Sequence, residues 1–160
     1  MPPLHPALIH FPIALVGFSF LLDLLARLFN KESLRGAAFW CLLGALVGGA
    51  AAAATGYFDY SRDALGAIAT YVQFHMYLGW ILVAAVIALT IWRWRIFARA
   101  TPTSVSYFIA AVLVVGLTLF QSWYGGEMVY SQGAGVAAAS KGTEPSTNGK
   151  QRLDKVTPIK

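Results

Sequence analysis

Four long apolar stretches alternate with short polar connections along the chain, at residues 7–29, 37–57, 71–92 and 105–124. A helix of about 20 apolar residues, rising about 1.5 Å per residue, crosses the ~30 Å hydrocarbon core of a membrane. Each stretch therefore predicts one membrane-spanning helix. Residues 137–160 are polar, with many Lys, Thr, Gly and Pro residues, and predict a flexible C-terminal tail. The pattern predicts an all-α integral membrane four-helix bundle over residues 1–136.

Composition excludes a soluble globular domain. The 160 residues are 58% hydrophobic and 12% charged, with a mean hydropathy of +0.61, whereas soluble domains carry about twice that share of charge. The first apolar stretch has no preceding basic region and exceeds the 7–15 residues of a signal-peptide core, so we expect it to remain uncleaved. Cys41 is the only cysteine, which rules out an internal disulfide. No nucleophile–base pair points to hydrolysis, and no nucleic-acid partner is predicted.

Basic residues concentrate in two of the three connections: Arg27, Lys31 and Arg35 in the first, and Arg93, Arg95 and Arg99 in the third. The second connection carries only Arg62, against Asp59 and Asp63. The positive-inside rule then makes the first and third connections cytoplasmic. We expect a multi-pass protein of the bacterial inner membrane with both termini outside (N-out, C-out).

All three histidines lie at the predicted outer face. His10 follows the start of the first span by about three residues and His75 the start of the third by about four, so both lie roughly 5–8 Å inside the boundary. The first and third spans of an up-and-down bundle face each other across its core. Two imidazoles at equal depth on facing helices are what the axial ligation of a haem iron requires. Gly17 and Gly79, on the same helical faces as His10 and His75, would leave room for the macrocycle.

Simpler interpretations of the histidines stay open. Pro12 removes the backbone donor that would pair with the Leu8 carbonyl, so that carbonyl is free to accept from the His10 ring. His5 lies outside the core, where histidines commonly bond to headgroups. A copper site of His5, His10, His75 and Met76 is a further alternative, because imidazole and thioether suit copper. It requires an irregular first turn, since five residues rotate a regular helix by about 140°.

Small residues and one acidic residue stand out within the spans. Gly44, Gly48, Ala52 and Gly56 recur every fourth residue, which predicts close helix packing and, as a second interpretation, a cofactor groove. Asp23 precedes Arg27 by four residues and predicts an ion pair within one helix.

The glycine-rich segment after the fourth span offers a place for an anion. Gly125 and Gly126 predict the end of the helix, and their backbone N–H groups suit an anion nest. Arg62, with Tyr57 and Tyr124, is the candidate partner for haem propionates on this face. An ordinary turn explains the segment equally well.

Four motifs together carry a resemblance that covers Leu4 to Val136: LHPALIHFPIAL, TGYFDY, a histidine that opens the third span, and GGEMVYSQGAGV. They resemble a bacterial membrane-domain family of unknown function with the signature HPxxxHFPIAL … GGxLVYxxGxGV, related to two-haem b-type membrane cytochromes. The resemblance implies four helices and haem b, with His5, His10 and His75 at the family's histidine positions. Gln132 stands where that family often has histidine, and three histidines cannot hold two bis-histidine haems.

We therefore predict a b-type haem protein with His10 and His75 as axial ligands. It would perform accessory electron transfer on the outer face, exchanging electrons with quinol or a periplasmic cytochrome c. The alternative is a cofactor-free accessory subunit that packs against a larger respiratory or photosynthetic complex through its glycine stripe.

Overall fold

The computed structural model describes residues 4–62 and 68–134, without the side chains of 60–62. Within these ranges the chain is entirely helical, with α1 His5–Leu8, α2 His10–Phe29, α3 Glu32–Arg62, α4 Ala69–Ala98 and α5 Val105–Tyr130. Helices α1 and α2 follow one another as one span, and the four resulting helices are each long and apolar enough to cross a membrane. The predicted all-α, four-span architecture is confirmed, while the predicted tail lies outside the described residues.

The helices extend beyond the predicted spans. α3 begins at Glu32 rather than at residue 37, α4 continues to Ala98, and α5 continues to Tyr130. Hydropathy marks the part of a helix that lies in hydrocarbon, whereas the backbone stays helical until a residue leaves that conformation. Such residues are Asn30 and Ala100, whose φ angles are 51° and 50°.

The four spans form a ring. α2 packs against α3, α3 against α4, α4 against α5, and α5 returns to α2. α2 and α4, the first and third spans, therefore lie opposite each other. The core includes Val16, Leu42, Val86, Leu89 and Val114. Large apolar side chains such as Leu113, which is 68% exposed, cover the outside, as expected of a surface in contact with lipid.

The glycine stripe of α3 packs against the first span of the same chain. A Cβ atom on Gly44 would lie 3.0 Å from Leu15 Cδ1, and one on Gly48 would lie 3.1 Å from Phe11 Cδ1. A Cβ atom on Gly56 would lie 2.8 Å from His5 Nδ1. The stripe thus performs the close packing predicted for it, but with α1 and α2 as its partners. These contacts lie on the face of α3 that the alternative hypothesis assigned to another subunit.

Asp23 pairs across the bundle, so the predicted ion pair with Arg27 is wrong. Arg93 donates from Nε and Nη2 to the two carboxylate oxygens of Asp23, at 2.9 and 2.8 Å. The Tyr107 hydroxyl donates to the same carboxylate at 3.1 Å. Asp23 and Arg93 are each 1% exposed. Arg27 instead donates to the Thr103 carbonyl oxygen at 2.8 Å.

The pairing follows from which side of α2 faces the core. Asp23 points into the bundle, where an unpaired carboxylate is costly, while Arg27 is exposed. Arg93 also donates to the Arg35 carbonyl oxygen at 2.7 Å. The cluster of Asp23, Arg93, Tyr107 and the Arg35 carbonyl therefore connects α2, α4, α5 and α3. We call this half of the molecule the arginine end.

Replacement of Asp23 by Leu should lower the free energy of unfolding by about 3–5 kcal/mol, because it leaves the buried Arg93 without a counter-charge. Tyr107→Phe, which removes one hydrogen bond, should cost only about 1 kcal/mol. The measurement is unfolding of the purified protein in mixed micelles by denaturing detergent. The double variant Asp23→Leu/Arg93→Met, which removes both charges, should be more stable than Asp23→Leu alone. Additive losses in the double variant would contradict a direct pairing.

Candidate functional site

Two of the three histidines meet at the opposite end of the bundle, which we call the histidine end. His5 begins α1 and His75 lies in the second turn of α4. Their ring centroids are 6.2 Å apart with the ring planes at 86°. His10, at the start of α2, is exposed on the outside of the bundle. The structure thus brings His5 next to His75, where the sequence-based hypothesis had His10.

Helix geometry explains why His5 and not His10 points inward. His5 lies 18 residues before Asp23, which is five turns of 3.6 residues, so the two side chains share one face of the first span. His75 lies 18 residues before Arg93 and shares one face of α4 in the same way. The Asp23–Arg93 pair and the His5–His75 pair are therefore two contacts between the same two faces. His10 is rotated from His5 by about 140°.

His5 is held by one face of α3. Its Nδ1 lies 2.7 Å from the Ala52 carbonyl oxygen, and its backbone N–H donates to Asp59 Oδ2 at 3.3 Å. Gly56, between these two residues, leaves the space that the ring occupies. Because a carbonyl oxygen only accepts, Nδ1 of His5 carries the proton. Nε2 of the neutral ring therefore keeps a lone pair.

His75 is held by α5. Gln121 Nε2 donates to the His75 carbonyl oxygen at 2.9 Å and lies 3.2 Å from His75 Nε2. The amide nitrogen has two hydrogens, so it donates the second to Nε2, and Nδ1 of the neutral ring carries the proton. The Tyr124 ring stacks on His75 with centroids 6.2 Å apart and planes at 13°. A Cβ atom on Gly125 would lie 3.0 Å from His75 Cε1.

Two polar atoms at this contact are buried without a partner. Within the described residues, His75 Nδ1 and Gln121 Oε1 form no hydrogen bond. Buried polar atoms in folded proteins are nearly always paired, so these two atoms have the capacity for a further hydrogen-bond partner. Gln121, Ala52 and Asp59 were missed by the sequence analysis. Only Asp59 had a signal, because it belongs to the TGYFDY motif.

The glycines of the sequence-based hypothesis serve side-chain packing. A Cβ atom on Gly79 would lie 3.3 Å from Gln121 Nε2, so Gly79 makes room for the amide that holds His75. No atom lies within 4 Å of the position of a Cβ on Gly17. α5 does not end at Gly125 and Gly126 but continues to Tyr130, so the predicted helix end is wrong. Gly125 is needed for the approach of His75 and not for a turn.

Neither the propionate partner nor the copper site gains support. The side chain of Arg62 lies outside the described residues, while Tyr57 is 52% exposed and contacts Phe58. In residues 4–62 and 68–134, no group of three or more His, Cys, Asp or Glu side chains is placed to hold a metal ion. The copper alternative needed His5, His10 and His75 together, and the exposed His10 lies on another face of the span than His5.

The family described as predicted membrane protein (DUF2231) matches residues 1–138. The chain therefore belongs to this family, whose function is unknown. No curated protein and no solved structure matches the chain.

Nitrogen-15 NMR of the histidine rings tests the geometry of the site. At about pH 8, both His5 and His75 should be protonated on Nδ1, because the Ala52 carbonyl accepts from one ring and Gln121 donates to the other. The exposed His10 is the internal control and should exchange between tautomers. A proton fixed on Nε2 of His5 would contradict the contact with Ala52.

Proposed function

We propose that this member of the DUF2231 family binds haem b between His5 and His75 and acts in electron transfer at the histidine end. The observation that supports the proposal is the close approach of two imidazoles from two different spans. His10, which the sequence analysis favoured, is replaced by His5 in this proposal because His10 is exposed.

The separation of the rings fits a metal atom between them. An imidazole nitrogen bonds a metal at about 2.0–2.1 Å, so one ion bound linearly by both rings would separate the ring centroids by roughly 6 Å. The centroids of His5 and His75 lie 6.2 Å apart. The donor set, two neutral imidazoles, is the one that b-type axial ligation uses.

The hydrogen bond of the His5 ring suits ligation, whereas ligation by His75 requires a change in its contact with Gln121. Metal-bound histidines usually donate their other N–H to a carbonyl or carboxylate, which orients the ring. His5 does so through Nδ1 to Ala52. For His75, a half-turn of the Gln121 amide would turn Oε1 toward an Nε2 proton. The lone pair of Nδ1 would then be free for the metal and Oε1 would have a partner, while the bond from Gln121 Nε2 to the His75 carbonyl oxygen would be lost.

A haem bound here would supply one-electron redox chemistry, and the residues of this chain would determine where it takes place. Asp59 fixes the start of α1 by accepting the backbone N–H of His5, and Tyr124 covers one face of His75. Since both ligands lie at one end of the bundle, exchange would occur with a quinol or a periplasmic cytochrome c at that face. The far end lacks a second histidine pair within the described residues, so transfer across the membrane is not part of the proposal.

Visible absorption spectra of the detergent-purified protein, from cells supplied with haem, test the ligands. The wild-type protein should show a sharp reduced b-type band after dithionite. His5→Ala and His75→Ala should each lose it, whereas His10→Ala, which removes an exposed imidazole, should keep it.

Retention in His5→Ala with loss in His10→Ala would restore the ligand pair predicted from the sequence. A colourless wild-type protein would overturn haem binding altogether. Metal analysis of that colourless sample would then distinguish a bare ion between the rings from an empty contact.

Added methyl groups test the positions of the rings without removing a ligand. Gly56→Ala and Gly125→Ala each bring a Cβ within 3.0 Å of a histidine ring, and should lower the haem bound per protein at least severalfold. Gly126→Ala is the matched control, because its added methyl would meet no atom within 4 Å among the described residues outside its own stretch of helix. Equal haem content in all three variants would contradict ligation by His5 and His75.

A further inference from the structure

A groove of about 520 Å³ lies on the outside of the arginine end, along α4 and the turn that follows it. Its lining includes Ala88 and Ile91 toward the middle of the helix, then Trp92, and Arg95 and Arg99 toward the end. From Ala88 to Arg99 the helix rises about 16 Å, so the groove runs from the apolar part of the span to its polar end. It does not overlap with the histidine end.

The two arginines of the groove have no polar partner among the residues that the structure describes. Arg95 and Arg99 are four residues apart and exposed on one face of α4. Neither makes a side-chain hydrogen bond or ion pair with any residue that the structure describes. The single ion pair among the described residues joins Asp23 to Arg93. By contrast, the other three described arginines each donate to an oxygen of this chain: Arg27, Arg35 and Arg93.

Apart from Thr101, the rest of the groove is apolar, and its tryptophan is held in place. Ala88 and Ile91 offer an exposed aliphatic surface, and the Trp92 ring packs edge-on against Tyr107 with centroids 6.0 Å apart. Tyr107 belongs to the buried cluster around Asp23, so Trp92 rests on a rigid support. A ligand that matches the whole groove has an anionic group at one end and a hydrocarbon chain at the other.

We propose that this groove binds an anionic phospholipid. The phosphate lies between the guanidinium groups of Arg95 and Arg99, which are strong donors to phosphate oxygens. One acyl chain lies along Ile91 and Ala88. Basic pockets at the cytoplasmic ends of membrane helices bind anionic headgroups through this combination. A free inorganic phosphate would satisfy the arginines but not the apolar half, so the shape and charge together favour the lipid.

Native mass spectrometry of the full chain tests this inference independently of haem. The protein is taken from micelles that contain equal amounts of phosphatidylglycerol and phosphatidylcholine, and the ratio of the two retained lipids is measured. The wild-type protein should retain phosphatidylglycerol in preference. Arg95→Gln and Arg99→Gln should each reduce the ratio about fivefold, the effect of roughly one basic residue at a membrane surface.

Two further variants separate a defined site from general attraction. Lys31→Gln removes an exposed charge elsewhere at the arginine end and should leave the ratio unchanged. Ala88→Trp keeps both arginines but fills the apolar half, and should lower the ratio as much as either arginine variant. The proposal is overturned if the wild-type protein does not prefer phosphatidylglycerol. It is also overturned if Lys31→Gln lowers the lipid ratio as much as the arginine variants do. If Ala88→Trp leaves the lipid ratio unchanged and added inorganic phosphate displaces phosphatidylglycerol, the groove binds free anions and not a lipid.

Discussion

The ion pair between Asp23 and Arg93 is the interaction on which the arrangement of the helices depends. Both groups are almost completely buried between apolar helices, where neither charge is tolerated without the other. Together with Tyr107 and the Arg35 carbonyl, the pair makes hydrogen bonds that connect all four spans. Apolar packing against lipid and against protein differ little in free energy, so rotation of such helices is set by polar contacts of this kind.

The consequences of this pair extend to the other end of the membrane. His5 and His75 are each five helical turns from their partner in the pair, about 27 Å along the helix axes. The rotation that buries Asp23 also turns His5 inward, and the rotation that buries Arg93 does the same for His75. The same rotation leaves Arg95, two residues further along α4, on the outer surface. The contact between the histidines and the exposure of Arg95 are thus consequences of one constraint.

The two ends are held by different means. At the arginine end, direct charge-assisted hydrogen bonds join both carboxylate oxygens of Asp23 to Arg93. At the histidine end, Gly56 and Gly125 let the rings approach neighbouring backbones closely, and the ring of His75 keeps an unpaired nitrogen. The paired charges act as a structural support, whereas the histidine end leaves one ring nitrogen without a partner among the described residues.

Much of this architecture follows from composition and periodicity, and the exceptions have physical reasons. Hydropathy predicts the four spans because each apolar residue favours lipid whatever its distant neighbours are. It does not report that α5 continues through Gly125, because that depends on how the helix packs. The i, i+4 rule favoured Arg27 for Asp23 because it considers one helix only, while the actual partner lies 70 residues away.

The choice between His5 and His10 requires the angular position of each residue around its helix as well as its depth in the membrane. Matched depth favoured His10, since it lies as far inside its span as His75 does, but depth does not specify on which side of a helix a residue lies. The angular position is encoded in the equal spacing of 18 residues from His5 to Asp23 and from His75 to Arg93. That spacing becomes informative only when the two charged residues are known to pair across the bundle. Two charges of opposite sign inside facing spans are therefore the first feature to align, because their pairing orients every other side chain on both helices.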